Sequence, residues 1–260
     1  MSEFSRSRTE HRTPNNLPMA RIDSFRFPAG RKIGPHYVVE SLLGGGAEGE
    51  VYQVRELDTG IRRAAKLYFP HRDPNRQLAV RQAHKLNALR NCQIVLQYHH
   101  SQVITVRKNK ILAMISDLCE GEQLENWVRC HPGQRLKPYQ ALHVFYHLVR
   151  GLEAIHAQGE YHSDVHSQNI LIQPRGVRFD LKLIDFYDWG RATRWKQRQD
   201  VMDAVRVFHE ILGGRDHYAR LPQELKYICG GLKQTVVLKR FRTISELRAH
   251  LDWFEWNSVL

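Results

Sequence analysis

Residues 44–51 read Gly-Gly-Gly-Ala-Glu-Gly-Glu-Val, with Gly44, Gly46 and Gly49 in the spacing G-x-G-x-x-G-x-V. Without a Cβ, such a loop lets backbone N–H groups approach phosphate oxygens closely. Gly45 belongs to the same run. The next residues, Val51-Tyr52-Gln53-Val54, read as a strand, so the glycines cap a hairpin instead of opening a helix. The same composition also suits a plain flexible hairpin turn. Fifteen residues after Val51, Lys66 stands inside the apolar strand Ala64-Ala65-Lys66-Leu67. Facing a cleft, its ammonium would neutralise phosphate charge; at a sheet edge it would only snorkel. Further on, His162-Ser163-Asp164-Val165-His166-Ser167-Gln168-Asn169 places a carboxylate and an amide five residues apart, ahead of the apolar Ile170-Leu171-Ile172. Asp185 ends a second apolar run, Leu181-Lys182-Leu183-Ile184. Asn169 and Asp185 offer hard oxygen ligands of the kind that hold Mg²⁺ on nucleotide phosphates. Asp164 is of the type that accepts a hydroxyl proton. Either aspartate taken alone is also an ordinary turn or cap residue.

These groups need elements to hold them. Tyr37–Leu43, Glu50–Val54, Ile61–Tyr68, Gln102–Val106 and Ile111–Ile115 read as strands, with Asp58-Thr59-Gly60 turning one hairpin. One helix interrupts over Asn75–Arg90, where Leu78, Gln82, Leu86 and Leu89 share a face. After Gly121 the pattern turns helical. Ala141, Val144, Phe145, Leu148, Leu152 and Ile155 make one apolar stripe; Val201, Ala204, Val205, Phe208, Ile211 and Leu212 make another, closed by Gly213-Gly214. Further helices are predicted near Pro222–Leu232 and over Ser245–Phe254. A sheet-rich half and a helical half meet near Asp117–Gly121, where a cleft would open. Residues 1–30, rich in Arg, Ser, Thr and Pro, read as a disordered basic tail.

In this order, the glycine loop, Lys66, the hinge-like Ser116–Gly121, H-x-D-x-x-x-x-N from His162 to Asn169 and D-F from Asp185 resemble the protein kinase superfamily, in an atypical bacterial-type form. The resemblance covers roughly residues 37–255. It implies an α+β bilobal fold over 31–257. A small antiparallel sheet lobe with one helix takes 31–117, a hinge 117–121 and a larger, mainly helical lobe 122–257. It also implies roles. Gly44, Gly45, Gly46 and Gly49 cover the ATP phosphates. Val51, Ala64 and Leu171 sandwich adenine, and Asp117 and Cys119 offer hinge backbone hydrogen bonds. Lys66 contacts the α- and β-phosphates, Asp164 takes the acceptor proton, and Asn169 and Asp185 hold Mg²⁺. Ser116 falls at the gatekeeper position. Asp200 falls where an aspartate of the central helix braces the catalytic loop.

The departures bear on function. Gln82 falls where the family's helix glutamate pairs with the strand lysine, and no Glu occurs between Lys66 and Asp117. Ser163 replaces the arginine that reads an activation-loop phosphate, so that switch is not expected, and Thr193 is the only Ser or Thr between Asp185 and Asp200. Tyr187 replaces the glycine of D-F-G. His166 replaces the catalytic-loop lysine, as in antibiotic phosphotransferases and choline-kinase-like enzymes; it contacts the γ-phosphate or packs in the loop. Asp200 comes only fifteen positions after Asp185, and A-P-E is missing. Arg191, Arg194, Lys196 and Arg198, with Trp189 and Trp195, form a basic segment that suits an acidic substrate or is simply solvated.

The chain has 260 residues, 42% hydrophobic and 25% charged, which is ample for a core without disulfides or structural metal. No apolar run approaches the roughly 20 residues of a membrane span, and no apolar leader follows Met1. Cys92, Cys119, Cys130 and Cys229 form no C-x-x-C pair. Zinc ribbons are thereby disfavoured, and a reducing, cytoplasmic compartment is the simple expectation. The net charge of +12 suits anionic partners, although no nucleic-acid motif is present. Three readings follow. The leading one is an ATP- and Mg²⁺-dependent serine/threonine-protein kinase, a transferase. The second is a small-molecule kinase, and the third a nucleotide-binding pseudokinase.

Overall fold

The computed structural model describes residues 21–186 and 190–255. Residues 1–20, Tyr187 and Trp189 therefore lie outside the described residues. The first lobe is an antiparallel sheet of β1 (Lys32–Ile33), β2 (Tyr37–Gly45), β3 (Gly49–Glu56), β4 (Arg62–Tyr68), β5 (Tyr98–Val106) and β6 (Asn109–Asp117), in the order β1-β2-β3-β4-β6-β5. Helix α1 (Gln77–Ala88) lies between β4 and β5 in the chain.

Directly paired residues of antiparallel strands share a face. The register Val51↔Lys66↔Met114 and Gln53↔Ala64↔Ser116 therefore puts Val51, Ala64, Lys66 and Ser116 on one face. The opposite face carries Tyr52, Val54, Ala65, Leu67, Ala113 and Ile115, all buried. What buries them is the segment before β1. Ile22, Phe25 and Phe27 join that cluster, the Phe25 ring lying 5.4 Å from Phe27 and 5.3 Å from Phe69. The backbone N–H of Phe25 donates to buried Glu50, and that of Phe27 to the Tyr52 hydroxyl, which itself donates to Glu50. Burial, then the Glu50 carboxylate, pushes the Tyr52 phenol up to about 12. Residues 21–30 thus belong to the packed body, which corrects the expectation of a tail reaching residue 30. Composition pointed the wrong way because three apolar side chains do the docking while their neighbours stay polar.

The second lobe is helical: α2 (Leu124–Arg129), α3 (Pro138–Ala157), α4 (Arg194–Ile211), α5 (Gly214–Tyr218), α6 (Gln223–Cys229), α7 (Gln234–Arg240) and α8 (Ile244–Asp252). A small antiparallel sheet of β7 (Glu122–Gln123), β8 (Ile170–Arg175) and β9 (Arg178–Leu183) adjoins the hinge. The predicted stripes of α3 and α4 are both buried, with Phe145 and Phe208 stacked at 4.2 Å. Proline at its first position starts α3, and a Thr193 side-chain cap starts α4. All four cysteines are free thiols. No helix of the described residues is long and apolar enough to cross a membrane.

Phe25→Ala should remove about 3–5 kcal/mol of stability, read as a lower urea midpoint. An unchanged midpoint would show that the segment before β1 is not part of the folded core.

Candidate active site

The glycine run is the β2–β3 hairpin. Gly44 pairs with Val51 and Gly45 with Glu50, and the Gly46 N–H donates to the Gly49 carbonyl at 2.9 Å. A Cβ at Gly49 would meet the Leu67 carbonyl of β4, whereas one at Gly44 or Gly46 would meet nothing within 4 Å. Gly49 is therefore required by strand packing, and Gly44 and Gly46 leave open space beside the cleft. Across the hinge, Asp117 donates its backbone N–H to Gln97 at 2.9 Å and accepts from Arg63 at 2.9 Å through its carboxylate, which also lies 2.7 Å from His99 Nε2. Its carbonyl accepts only a long bond from the Ser116 hydroxyl at 3.5 Å and keeps a lone pair for a ligand. Gly121 passes so close to β8 that a Cβ would lie 2.8 Å from the Ile172 carbonyl. This contact and the pair Gln123↔Leu171 bring Leu171 beside the hinge. Cys119 follows in the hinge. It also lines a concavity of about 1850 Å³ bounded by α3 and the β8–β9 hairpin, where none of the other candidate residues lies.

Lys66 reaches across the cleft to Asp185, Nζ to Oδ1 2.6 Å, and lies 3.8 Å from Glu48 of the glycine loop. Burial alone would pull the lysine down. Tyr68, Asp185 and Glu48 reverse this, so its pKa sits above the ordinary lysine value. Gln82 is buried at the expected place on α1, but it accepts a hydrogen bond from the Tyr68 hydroxyl. Tyr68 follows Lys66 by two residues on the same face of β4, and the Lys66 ammonium lies 5.1 Å from its ring centroid. Gln82 thus stands at the family's glutamate position but bonds to the neighbour of the lysine on β4 and not to the lysine itself.

Below the cleft, a buried carboxylate organises the catalytic loop. Asp200 of α4 accepts from the N–H of His162 at 2.8 Å and of Ser163 at 2.7 Å, and sits 2.9 Å from His156 Nε2 of α3. Ser163 has φ +72°, a left-handed conformation that costs about 1–3 kcal/mol for such a residue. The bond to Asp200 holds it there. The loop then presents Asp164, whose carboxylate and carbonyl accept from Asn169 Nδ2 at 3.1 and 3.0 Å. With its amide nitrogen so used, Asn169 keeps its side-chain oxygen as the atom able to meet a metal. Asp185, at φ +56°, follows Ile184, whose N–H donates to the Asn169 carbonyl at 3.0 Å. The two hard-oxygen donors therefore fit Mg²⁺, an ion that keeps most of its shell for water and phosphate. No group of three or more His, Cys, Asp or Glu among the described residues is arranged as a metal cage. His166 Nε2 lies 3.6 Å from Asp164 Oδ2, with its side chain 42% exposed. The imidazole is thus beside the candidate base and is not packed inside the loop. Ser167 ties the end of the loop to Glu210 of α4 at 2.7 Å.

His162 is fully buried, with its Nε2 3.0 Å from the Ile184 carbonyl and its Nδ1 accepting from the Asp164 N–H at 3.3 Å. Its ring lies 4.3 Å from Phe186. One neutral tautomer satisfies both bonds. Burial pulls its pKa from 6.5 down to about 4. Between those values the unfolded chain holds a proton that the folded chain refuses. The stability contributed by the neutral ring is therefore complete above about pH 6.5 and is lost as pH falls toward 4. His162→Gln should flatten the stability–pH profile in that window by on the order of 1 kcal/mol per pH unit, measured by urea melts at stepped pH. An identical slope would mean that the ring does not titrate as the buried geometry requires.

Comparison with known proteins meets the same residues. The family model for the protein kinase domain matches residues 37–216. Serine/threonine-protein kinase PkaA of Streptomyces coelicolor is 28% identical over 165 residues, 60% of this chain and 30% of that protein. PkaB of the same organism is 31% identical over 150 residues, covering 56% and 34%. CBL-interacting protein kinase 29 of Oryza sativa subsp. japonica is 30% identical over 169 residues, covering 61% and 36%. The chain spans about a third of the length of these curated relatives. With the hairpin, the lysine, the catalytic loop and the braced Asp200 in place, the chain belongs to the protein kinase domain family.

Proposed function

We propose that this chain is a protein serine/threonine kinase that moves the γ-phosphoryl group of ATP to a protein hydroxyl with Mg²⁺ as cofactor. The observation that carries the reading is Lys66 on Asp185 at 2.6 Å beside a loop that holds Asn169 on Asp164 at 3.1 Å, the loop meeting Ile184, next to Asp185, through the Asn169 carbonyl. Lys66 supplies the fixed positive charge for the phosphates. Gly44, Gly45, Gly46 and Gly49 supply loop backbone above them. Val51, Ala64 and Leu171 provide the apolar walls for adenine, and the Asp117 carbonyl and Cys119 N–H its hinge bonds. Asn169 and Asp185 hold the ion, which when bound neutralises phosphate charge. Asp164 orients the acceptor hydroxyl and takes its proton as oxygen bonds to phosphorus and ADP leaves. His166 beside it steadies the carboxylate and can reach the transferred phosphate.

The segment after Phe186 enters α4 at Arg194 with no helix or strand of its own among the described residues. This brevity favours a second reading, a small-molecule hydroxyl acceptor. For a protein acceptor, exposed Arg191, Arg194 and Arg198 favour acidic sequence. Lys196 does not serve there, because it turns inward onto the Arg191 carbonyl at 2.7 Å. Trp195, by contrast, is 66% exposed and available.

Asp164→Ala should lower turnover by roughly a hundredfold or more and leave nucleotide affinity unchanged, in an assay of purified protein against peptides and small-molecule alcohols. A wild-type rate would remove Asp164 from the mechanism, and the panel decides between acceptors. By calorimetry, nucleotide binding should require Mg²⁺ and weaken in Asp185→Asn. Equal binding with chelator present would remove Asn169 and Asp185 as metal ligands.

A further inference from the structure

Lys85 lies on α1 one turn beyond Gln82, three residues on and so on the same buried face of the helix. Its side chain is only 6% exposed. The ammonium lies 3.8 Å from the centroid of the Tyr161 ring, 5.8 Å from that of Phe186 and 3.8 Å from the Glu160 carboxylate. A buried ammonium needs such partners, and a ring face in a dry setting attracts it. Glu160 and Tyr161 immediately precede His162-Ser163-Asp164. Lys85 therefore ties α1 of one lobe to the root of the catalytic loop in the other.

Tyr161 is itself fully buried and holds two further elements. Its hydroxyl donates to the Gly190 carbonyl at 2.7 Å, in the segment between Asp185 and α4. Lys196 of α4 donates to that hydroxyl at 3.3 Å, and its ammonium lies 4.7 Å from the ring centroid. The same ammonium donates to the carbonyls of Gly190 at 3.2 Å and Arg191 at 2.7 Å. One aromatic residue thus gathers a cation from α1, a cation from α4 and the backbone of the segment around the catalytic loop. Thr193, the segment's only Ser or Thr, has its hydroxyl engaged in capping α4.

We infer that Tyr161, with Lys85 and Lys196, is a built-in clamp that holds α1 and residues 190–196 in the working arrangement, in place of a phosphate read by an arginine. The three are positioning residues; none reaches the candidate Lys66–Asp185 or Asp164 groups through a bond described above. The inference rests on the phosphotransferase reading for its kinetic consequence but not for its structural one.

The test uses the full chain and three variants that divide the clamp. Lys85→Met should lower kcat roughly tenfold with KM for ATP little changed, and should speed amide exchange in residues 77–88. Lys85→Arg, which keeps a cation over the ring, should restore both. Tyr161→Phe keeps the ring but loses the hydroxyl, so it should speed exchange in 190–196 while leaving 77–88 as in wild type. Phosphatase-treated wild type should retain its rate. Exchange in Lys85→Met unchanged from wild type would overturn the clamp whether or not the protein turns over. A large loss of rate on phosphatase treatment would overturn its role as the substitute for a phosphate. Absence of turnover in the wild type, with exchange moving as expected, would count against the functional reading and for the clamp.

Discussion

The interaction on which the rest depends is the buried Asp200 carboxylate. Taking such a charge out of water is expensive, and it survives only where donors replace the lost hydration. Here the donors are two successive backbone N–H groups, those of His162 and Ser163, together with His156 of α3. Charge-assisted bonds of this kind are stronger than neutral ones. They fix the peptide units on either side of His162, the second of which leads into the left-handed Ser163, and so set the direction in which the chain enters Asp164. An arginine at position 163 is not needed for this, because the carboxylate reads the backbone. Ser163 can therefore lose the guanidinium without losing the loop.

A second constraint is the balance of charge around Lys66. A buried lysine with no helix glutamate needs other anions, and the chain supplies Asp185 from below and Glu48 from the glycine loop. Gln82 is occupied by Tyr68, so α1 is not drawn toward the lysine by charge. What secures α1 instead lies one turn along it, where Lys85 enters the space above Tyr161 and beside Phe186. The helix's electrostatic tie has thus moved from its own lobe to the other. Its position is coupled directly to the loop that follows Tyr161 and not to Lys66.

Much of this site was legible in the sequence because local order carries it. The glycines must turn because the strands on either side are apolar and β-branched, and Lys66 must face Val51 once the hairpin sets the register. Asp164 and Asn169 lie within one short loop, so their contact follows from spacing. The losses are of two physical kinds. Ile22, Phe25 and Phe27 have no helical or strand period, and their role depends on a sheet face that only folding assembles. Lys196 belongs to a basic segment whose sequence suits solvent, and Lys85 is a charge on the buried face of α1; whether such a side chain is solvated or enclosed is decided by what packs over it. Burial of Lys85 needs Tyr161 and Glu160, seventy-five and more residues away, and no pattern within α1 announces them.

The shortness of the segment after Asp185 follows from the same arrangement. A long loop costs conformational entropy to order, and a phosphate commonly offsets that cost by adding charge-assisted bonds. With fifteen residues from Asp185 to Asp200, six of them already inside α4 before Asp200, there is little chain left to order. The carbonyls of Gly190 and Arg191 are satisfied by Tyr161 and Lys196, which come from rigid elements on either side. A phosphate there would add charge where the cations are already turned inward and committed to ring and carbonyls. The segment's remaining freedom lies in its exposed side chains, Arg191, Arg194, Trp195 and Arg198. That is where differences between acceptors would be felt without disturbing the loop that Asp200 holds.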